Sequence, residues 1–415
     1  MRRRWIILIV GLVLLFAIGA AAAAYVVWKR QSPGTIRGSA STEFETTAEP
    51  GATTRPETVV REIPWPTYGY DEQRTRYAPP FDHRPPFRQM WERKLGTLAE
   101  FPPVLAYGRA YVGVINGRFR AIDTKTGRIV WEKDFGRCMA ASPTMGKGVV
   151  YVPLMDPFPC REHKPGAQGF VVALDADTGT ELWRFQAGVV ESSPLLVGRL
   201  LYFGSWDKKM YALDVRTQKV VWTVTTGAEV KGGAAFANGT IYFASYDNKV
   251  YAVDAGTGKV HWTGSGVANF YATPTVAYGR VFIGNTDGRV YAFGAESGHL
   301  LWAKATGGFV YSSAAVWQRK VFVGSYGKRF YALDAGSGDV VWSFPTADAI
   351  SGAPTVLDGV VYFSTLGQKT FGLDADNGKK VWAFDDGKYS PIVADQERVY
   401  LTGYRKLYGL ESEGG

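Results

Sequence analysis

From about residue 100 to the C-terminus the chain alternates short apolar runs with polar turns on a fixed beat. The stretch "TPTVAYGRVFIGNTDGRVYAFGAESGHLLW", residues 273–302, shows one unit. A short run follows Pro274, "YGR" breaks it, "VFIG" is a second run, "NTDG" a second turn, "RVYAF" a third run and "HLLW" a fourth. Runs rich in β-branched and aromatic residues, joined by turns carrying Gly, Asn and Asp, predict four antiparallel strands. The unit closes on Trp, at Trp91, Trp131, Trp183, Trp222, Trp262, Trp302, Trp342 and Trp382, in steps of 40, 52, 39, 40, 40, 40 and 40. A period near 40 with strand chemistry inside each unit predicts a β-propeller. The ends of the array predict how it shuts. Trp91 has only "RQMWERKL" around it, and the last unit, "SPIVADQERVYLTGYRKLYGLESEGG", has three strands and no Trp. Together they make one blade, so the expected fold is all-β. It is an eight-bladed propeller of four-stranded antiparallel blades, with an N-terminal strand completing the last blade and leaving no open edge at the seam.

Within a unit such as "YALDAGSGDVVW", residues 331–342, each repeated residue has a structural reading. Asp334 can accept hydrogen bonds from backbone N–H groups of the following turn. Gly338 stands where the hairpin needs a left-handed backbone. Trp342 can bury its ring on the adjacent blade while its indole N–H finds a carbonyl, and small Ala332 leaves room for that approach. Copies vary, with Gln218 in the Gly position, Gly294 for the Asp and Gly372 for the Ala, yet the unit length holds. "DADTG", at residues 175–179, resembles the start of a calcium loop but has Gln186 in the twelfth slot, so it reads as a turn.

The N-terminus breaks the beat. After "MRRR" an uncharged run extends from Trp5 to Trp28, followed by Lys29 and Arg30. Its length suits a membrane-spanning helix, with Trp5, Tyr25 and Trp28 at interfacial positions. The Ala20 to Ala24 tract keeps a cleaved secretory signal open. Both readings export the remainder, and the expectation is a single-pass signal-anchor over residues 1–30 with the propeller on the extracytoplasmic side. Residues 31–63 are rich in Thr, Ser, Gly, Pro and Glu, with few large apolar residues, and predict a disordered linker. The propeller then occupies residues 64–415.

Net charge is +9. Residues 1–63 hold eight Lys and Arg against five Asp and Glu, and in the repeats the excess is scattered singly over turns. That distribution argues against nucleic acid as a partner. The chain has two cysteines, Cys138 and Cys160. In an exported protein they are a candidate disulfide, the alternative being two buried thiols. The 52-residue step comes from "VPLMDPFPCREHKPGAQG", residues 152–169, between the second and third strands of its blade. That long, Pro-rich loop opens on the face where Cys138 lies. It is the candidate partner-binding element, through Asp156, Phe158, Arg161 and His163.

The pattern A-φ-D-x-x-[ST]-G-x-x-φ-W in eight copies resembles the pyrroloquinoline-quinone (PQQ)-like propeller family over about residues 64–415. "WPTYGYDEQRTRYAPP", residues 65–80, resembles the lead-in segment that precedes such propellers. The family holds quinone-dependent dehydrogenases and non-catalytic relatives, including outer-membrane assembly lipoproteins and sensor domains of membrane kinases. The resemblance implies that any chemistry would sit at the channel mouth, with a divalent cation held by Glu and Asn, a catalytic Asp and, in one branch, adjacent cysteines. Counting back from the first strand of each unit places Glu100, Ala140, Glu191, Lys231, Tyr271, Tyr311, Ser351 and Lys388 on the channel rim. Their predecessors, Ala99, Met139, Val190, Val230, Phe270, Val310, Ile350 and Gly387, then fall into the blade packing. That rim is polar but mixed in charge, a poor set for a hard cation. No Cys-Cys pair, H-x-H, H-E-x-x-H or G-x-S-x-G occurs. The expected function is a membrane-anchored, monomeric, non-catalytic binding or scaffold module for a protein or cell-envelope ligand, without cofactor or metal. Glu100, Glu191, Lys231, Tyr271, Tyr311, Ser351 and Lys388 are its candidate contacts. The alternatives are a small-molecule sensor or carrier using the channel and, less favoured, a quinone-dependent dehydrogenase.

Overall fold

The structure, a computed structural model, describes residues 35–38, 45–46, 48–50, 57–79, 81–160, 166–389 and 392–413. Eight antiparallel sheets follow one another along the chain. Blade one spans residues 104–134, blade two 144–188, blade three 195–225, blade four 235–265, blade five 275–305, blade six 315–345 and blade seven 355–384. Blade eight takes Ile392–Ala394, Val399–Thr402 and Lys406–Ser412 from the C-terminus and Phe87–Lys94 from the N-terminal side. Lys94 pairs with Lys406 and Phe87 with Ser412, so the ring closes by sheet pairing between the two ends, as the truncated terminal units predict.

Each blade has the same internal logic. A short inner strand faces the channel, two longer strands are buried, and an outer strand is half exposed. The apolar rows of neighbouring blades form the core, as where Phe270, just before blade five, and Ile283, Tyr291 and Phe293 within it meet Tyr242 and Val250 of blade four. All eight outer strands carry a β-bulge just before the Trp. A bulge places two residues opposite one and sharpens the local twist. Val340 and Val341 of blade six therefore both stay exposed, at 41% and 48%, while the next side chain, Trp342, turns toward blade seven.

The Trp packing has one feature that the repeat pattern does not show. Six of the eight rings, those of Trp91, Trp131, Trp222, Trp262, Trp302 and Trp342, lie on the hairpin glycine of the following blade. A Cβ built on Gly338 would stand 2.6 Å from the Trp302 ring, and one on Gly298 2.5 Å from Trp262. Both glycines also have positive φ, 73° and 72°, so backbone and contact demand the same residue. The indole N–H donates to a carbonyl beside that hairpin, Trp302 to Ala335 at 3.0 Å and Trp262 to Ala295 at 2.9 Å. The aspartates fill their expected role, Asp334 Oδ1 accepting from Ser337 N at 2.7 Å and Asp254 Oδ1 from Thr257 N at 2.8 Å. In blade three Gln218 takes the positive φ, 59°, without being glycine.

The predicted transmembrane segment, residues 1–30, lies outside the described residues. Among the described residues no helix is long and apolar enough to cross a membrane. The described parts of the expected disordered linker differ from a bare tether. Thr35–Arg37 adds a fifth strand to the outer edge of blade five, pairing Thr35 with Lys304 and Arg37 with Trp302. Arg37 reaches Asp339 of blade six at 3.0 Å. Glu45 bridges Arg280 and Arg319, and Glu49 accepts from the Tyr278 hydroxyl at 3.0 Å. Glu57–Glu62 is a short helix. A chain poor in large apolar residues is held here by ion pairs and edge-strand hydrogen bonds, which composition does not reveal.

Candidate functional site

The lead-in segment builds one end of the channel. Residues 65–78 run around the inner strands and lend one backbone carbonyl to each of several blades in turn. Trp65 O accepts from Leu105 N, Pro66 O from Met145 N and Glu72 O from Phe236 N. Gln73 O accepts from Val276 N, Thr75 O from Val316 N and Arg76 O from Val356 N. Thr67 Oγ1 donates to Pro194 O of blade three. Arg74, fully buried, knots the turn together. Its guanidinium donates to Ala234 O at 2.8 Å, Pro194 O at 3.0 Å, Thr67 Oγ1 at 2.6 Å and the Tyr68 carbonyl. Burial lowers its pKa to about 9 and raises that of Asp71 to about 6, the latter opposed by hydrogen bonds from Thr75. Arg76 stacks 3.9 Å over the Tyr68 ring. Tyr68 also lines the cavity at the other end, so the segment forms its base.

The inner strands lead from that floor to the mouth. There a cavity of about 250 Å³ is lined by Glu100, Glu191, Lys231, Tyr271, Tyr311 and Ser351, six of the eight residues expected on the rim. The residues expected in the blade packing are buried, Val230, Phe270, Val310 and Ile350 completely. Alternation along the strand entrance thus separates the two sets. Two residues below the rim lies a ring of hydroxyls that joins blades. Ser193 Oγ accepts from Ser142 N, Thr273 Oγ1 from Gly233 N and Ser313 Oγ from Thr273 N, the first and last at 3.0 Å and the middle one at 2.9 Å. These bonds fix the backbones from which the rim side chains project.

The last rim expectation needs correction. Lys388 does not itself line the cavity: its ammonium stands 4.6 Å over the Tyr404 ring while still acting on the Glu100 carboxylate, and Tyr389 lines the cavity beside it. The physical reason is the irregular entry to blade eight, where Gly387 takes φ 112° and shifts the following residues out of the repeat. Ala140 is buried.

The mouth is more aromatic than the rim count suggests. Tyr246, Tyr271, Tyr311 and Tyr326 form an arc of edge-to-face and tilted contacts with centroid distances of 6.2, 5.2 and 5.1 Å. Trp206 and Tyr246 hold the Lys231 ammonium at 3.9 and 4.5 Å. Glu191 accepts from Trp206 Nε1 at 2.9 Å and from the Tyr271 hydroxyl at 2.8 Å. Burial, then the Glu191 and Glu100 carboxylates, push the Tyr271 phenol well above its ordinary value. Burial first and Glu191 second raise Glu100 to about 7, with Lys388 opposing. Trp206, Tyr246 and Tyr326 did not enter the sequence reading. Their signal was there, because each follows the second strand of its blade and they stand 40 or 80 residues apart. Tyr68 and Phe101 had no repeated position to announce them.

The loop of blade two overhangs this mouth. Cys138 and Cys160 are joined as a disulfide with Cα atoms 5.9 Å apart. The bridge packs with Ala140, Met155, Phe101 and Trp206, tying the loop to the cavity wall. Phe158 is 51% exposed, whereas Arg161 and His163 lie outside the described residues. Asp156 is buried at 3%, because Cys138 N donates to its carbonyl and draws residues 137–138 against 155–157. Its side chain therefore lies inside the loop and not on its exposed surface.

The donor set does not fit a quinone with its divalent cation. Among the described residues no cluster of three or more His, Cys, Asp or Glu is placed to hold a metal. The two carboxylates that do line the cavity would face the carboxylates of the quinone.

Comparison with known proteins agrees with this picture of a shared scaffold. Residues 88–226, 207–310 and 303–415 match the family described as outer membrane protein assembly factor BamB. The quinoprotein alcohol dehydrogenase PedH of Pseudomonas putida is 31% identical over 132 residues, 27% of this chain and 20% of that protein. Outer membrane protein assembly factor BamB of Kangiella koreensis is 29% identical over 126 residues, 29% of this chain and 30% of that protein. The aligned stretches thus span a fifth to under a third of those relatives' own length. The solved quinohemoprotein alcohol dehydrogenase ADHIIG of Pseudomonas putida HK5 superposes with a TM-score of 0.73 at 13% identity, covering 89% of this chain and 83% of the other, a likeness of fold alone. The chain belongs to the PQQ-repeat family described as outer membrane protein assembly factor BamB.

Proposed function

We propose that this propeller is a non-catalytic binding module, held to a membrane by its N-terminal segment on the extracytoplasmic side. In this reading it docks a protein or cell-envelope ligand at the mouth of its channel. The observation that carries the reading is the asymmetry of the channel. Its own chain fills one end with satisfied backbone bonds, while the other end opens into a cavity under a disulfide-tied loop. Exposed Phe158 on the disulfide-tied loop gives an aromatic anchor of the kind that carries binding energy in interfaces. The mixed lining, with Lys231 and two glutamates, supports recognition over quinone chemistry. Relatives described as assembly factors support a protein as the ligand.

Crosslinking and affinity recovery from intact cells tests it. The wild type is compared with a Cys138→Ser variant whose loop is shortened between Leu154 and Gly169. Partners recovered by the first and lost by the second are expected. Equal recovery from both would remove the loop from the site. The cavity keeps a second reading in view, a small-molecule sensor, which predicts that Lys231→Ala or Tyr311→Ala abolishes a ligand-induced rise in Tm. Dye-linked oxidation appearing on reconstitution with quinone and calcium would favour the dehydrogenase reading instead.

A further inference from the structure

We propose that the mouth-side corner of blade five rests on the surface of the lipid bilayer, so that the propeller stands on the membrane by one fixed side. This deepens the membrane-held reading above and rests on it for the presence of a bilayer.

The path of the N-terminal chain is the first argument. The outer strand of blade five, Leu300–Ala305, runs from the hairpin of Gly298 toward Tyr311 at the mouth. Thr35 pairs with Lys304 and Arg37 with Trp302, so the strap arrives at the mouth end of that strand and runs toward the floor. Five residue steps separate Thr35 from Arg30, where the apolar run has given way to charge. A fully extended chain covers about 18 Å in five steps, which bounds how far blade five can stand from the end of that run.

The strap is built to stay docked. Gly38 N donates to Leu301 O at 2.7 Å, and a Cβ on Gly38 would run into the Leu300 carbonyl, so the approach admits only glycine. Glu45 pairs at 3.2 Å with Arg280, whose side chain is 7% exposed. Beside the strap Leu300 and Leu301 are half-buried, whereas their counterparts in blade six, Val340 and Val341, are exposed.

The surface at that corner is the second argument. Val267, at 72% the most exposed large apolar side chain among the described residues, precedes blade five, and Phe309, at 51%, follows it. Both sit on connections that carry mouth residues, Tyr271 and Tyr311. Val267 N donates to the Tyr291 hydroxyl of blade five, and Phe309 stands four residues beyond Ala305. The repeat does not ask for either. One unit away, Gly227 and Gly307 take the place of Val267, and Asn269 and Ala349 that of Phe309. Ile36 on the strap adds a third exposed apolar side chain, at 49%. Lys249 and Lys328 are exposed on the mouth-side turns of the two neighbouring blades, those of Tyr246 and Tyr326. Apolar side chains that enter the headgroup region, rimmed by lysines that meet anionic headgroups, fit a lipid surface.

The test uses the full chain reconstituted into vesicles of phosphatidylethanolamine and phosphatidylglycerol. An environment-sensitive fluorescent amino acid replaces Phe309, Val267 or, as a control, Val381 on the outer strand of blade seven, and nitroxide-headgroup lipid is the quencher. Quenching severalfold stronger at Phe309 and Val267 than at Val381 is expected. Gly38→Val and, separately, Glu45→Ala loosen the strap and should lower quenching at Phe309 toward the control while the chain still floats with the vesicles. Circular dichroism and thermal unfolding show these variants folded. A photoreactive phenylalanine at Phe309 in intact cells should give lipid adducts. Equal quenching at the three positions, quenching indifferent to both strap variants, or protein adducts in place of lipid would overturn the inference and leave the membrane-held reading standing. A chain that does not float with the vesicles would overturn both, so the two failures are told apart.

Discussion

The two ends of the channel start from the same ring of inner strands and reach opposite results. At the floor, residues 65–78 place backbone carbonyls against successive blades, and fully buried Arg74 spends its donors on carbonyls of blades three and four and of its own turn. At the mouth, the corresponding positions carry two glutamates, one lysine and an arc of tyrosines around open space. At the floor the backbone carbonyls and Arg74 are hydrogen-bonded, although buried Arg76 keeps guanidinium nitrogens without a hydrogen bond to a described residue; at the mouth the polar groups line open space. A ring of repeats pairs its own edges, so its axis is where surplus chemistry can be kept, and this chain spends that surplus at one end only.

The largest expected effect breaks the floor. Arg74→Met should cost about 3–5 kcal/mol, since it strips several buried carbonyls of their donor. Denaturant unfolding should show a lower midpoint, whereas Glu191→Gln at the mouth should shift it by less than about 1 kcal/mol. Next in size is the bridge that holds the overhanging loop. Cys138→Ser with Cys160→Ser should cost about 3 kcal/mol from the loop entropy that the disulfide removes from the unfolded chain, read as a lower Tm under non-reducing conditions.

A smaller effect sharpens the contrast by pH. Burial first and the Glu191 carboxylate second raise Glu100 to about 7 in the folded protein, from an ordinary glutamate value of 4.5 when unfolded. The folded state holds the extra proton between those values, so this group's contribution to stability falls as pH rises from about 4.5 to about 7 and stays low above. Glu100→Gln should accordingly raise Tm at pH 8 relative to wild type and leave it nearly unchanged at pH 4.5. A melting temperature unchanged at both pH values would mean that the mouth stores no electrostatic cost. The smallest change concerns the hairpin before the outer strand of blade three. Gln218→Gly removes a side chain from a backbone with φ 59° and should stabilise blade three by up to about 1 kcal/mol.

What could be read from the sequence follows the same division. The ring was legible because Trp91 and its seven successors recur at nearly constant spacing, and because the truncated last unit lacked the strand that Phe87–Lys94 supplies. Six rim residues were legible because alternation at the strand entrance repeats in each blade; Lys388 was misplaced where the last unit breaks step. The floor was not legible. Residues 65–77 act mostly through backbone carbonyls, one to each of six blades, and a backbone bond leaves no mark on residue type. The strap formed by Arg37, Glu45 and Glu49 was missed for a related reason, since its few charges gain meaning only beside Arg280, Arg319 and Asp339.

Site-specific photo-crosslinking in intact cells addresses the asymmetry most directly. A photoreactive phenylalanine is placed at Tyr311 in the mouth, at Tyr77 on the floor side and at Val341 on an outer strand. The account predicts adducts from Tyr311 that vanish when Glu191→Gln is added, and none that depend on that change from the other two positions. Adducts confined to Tyr77 or Val341 would contradict it.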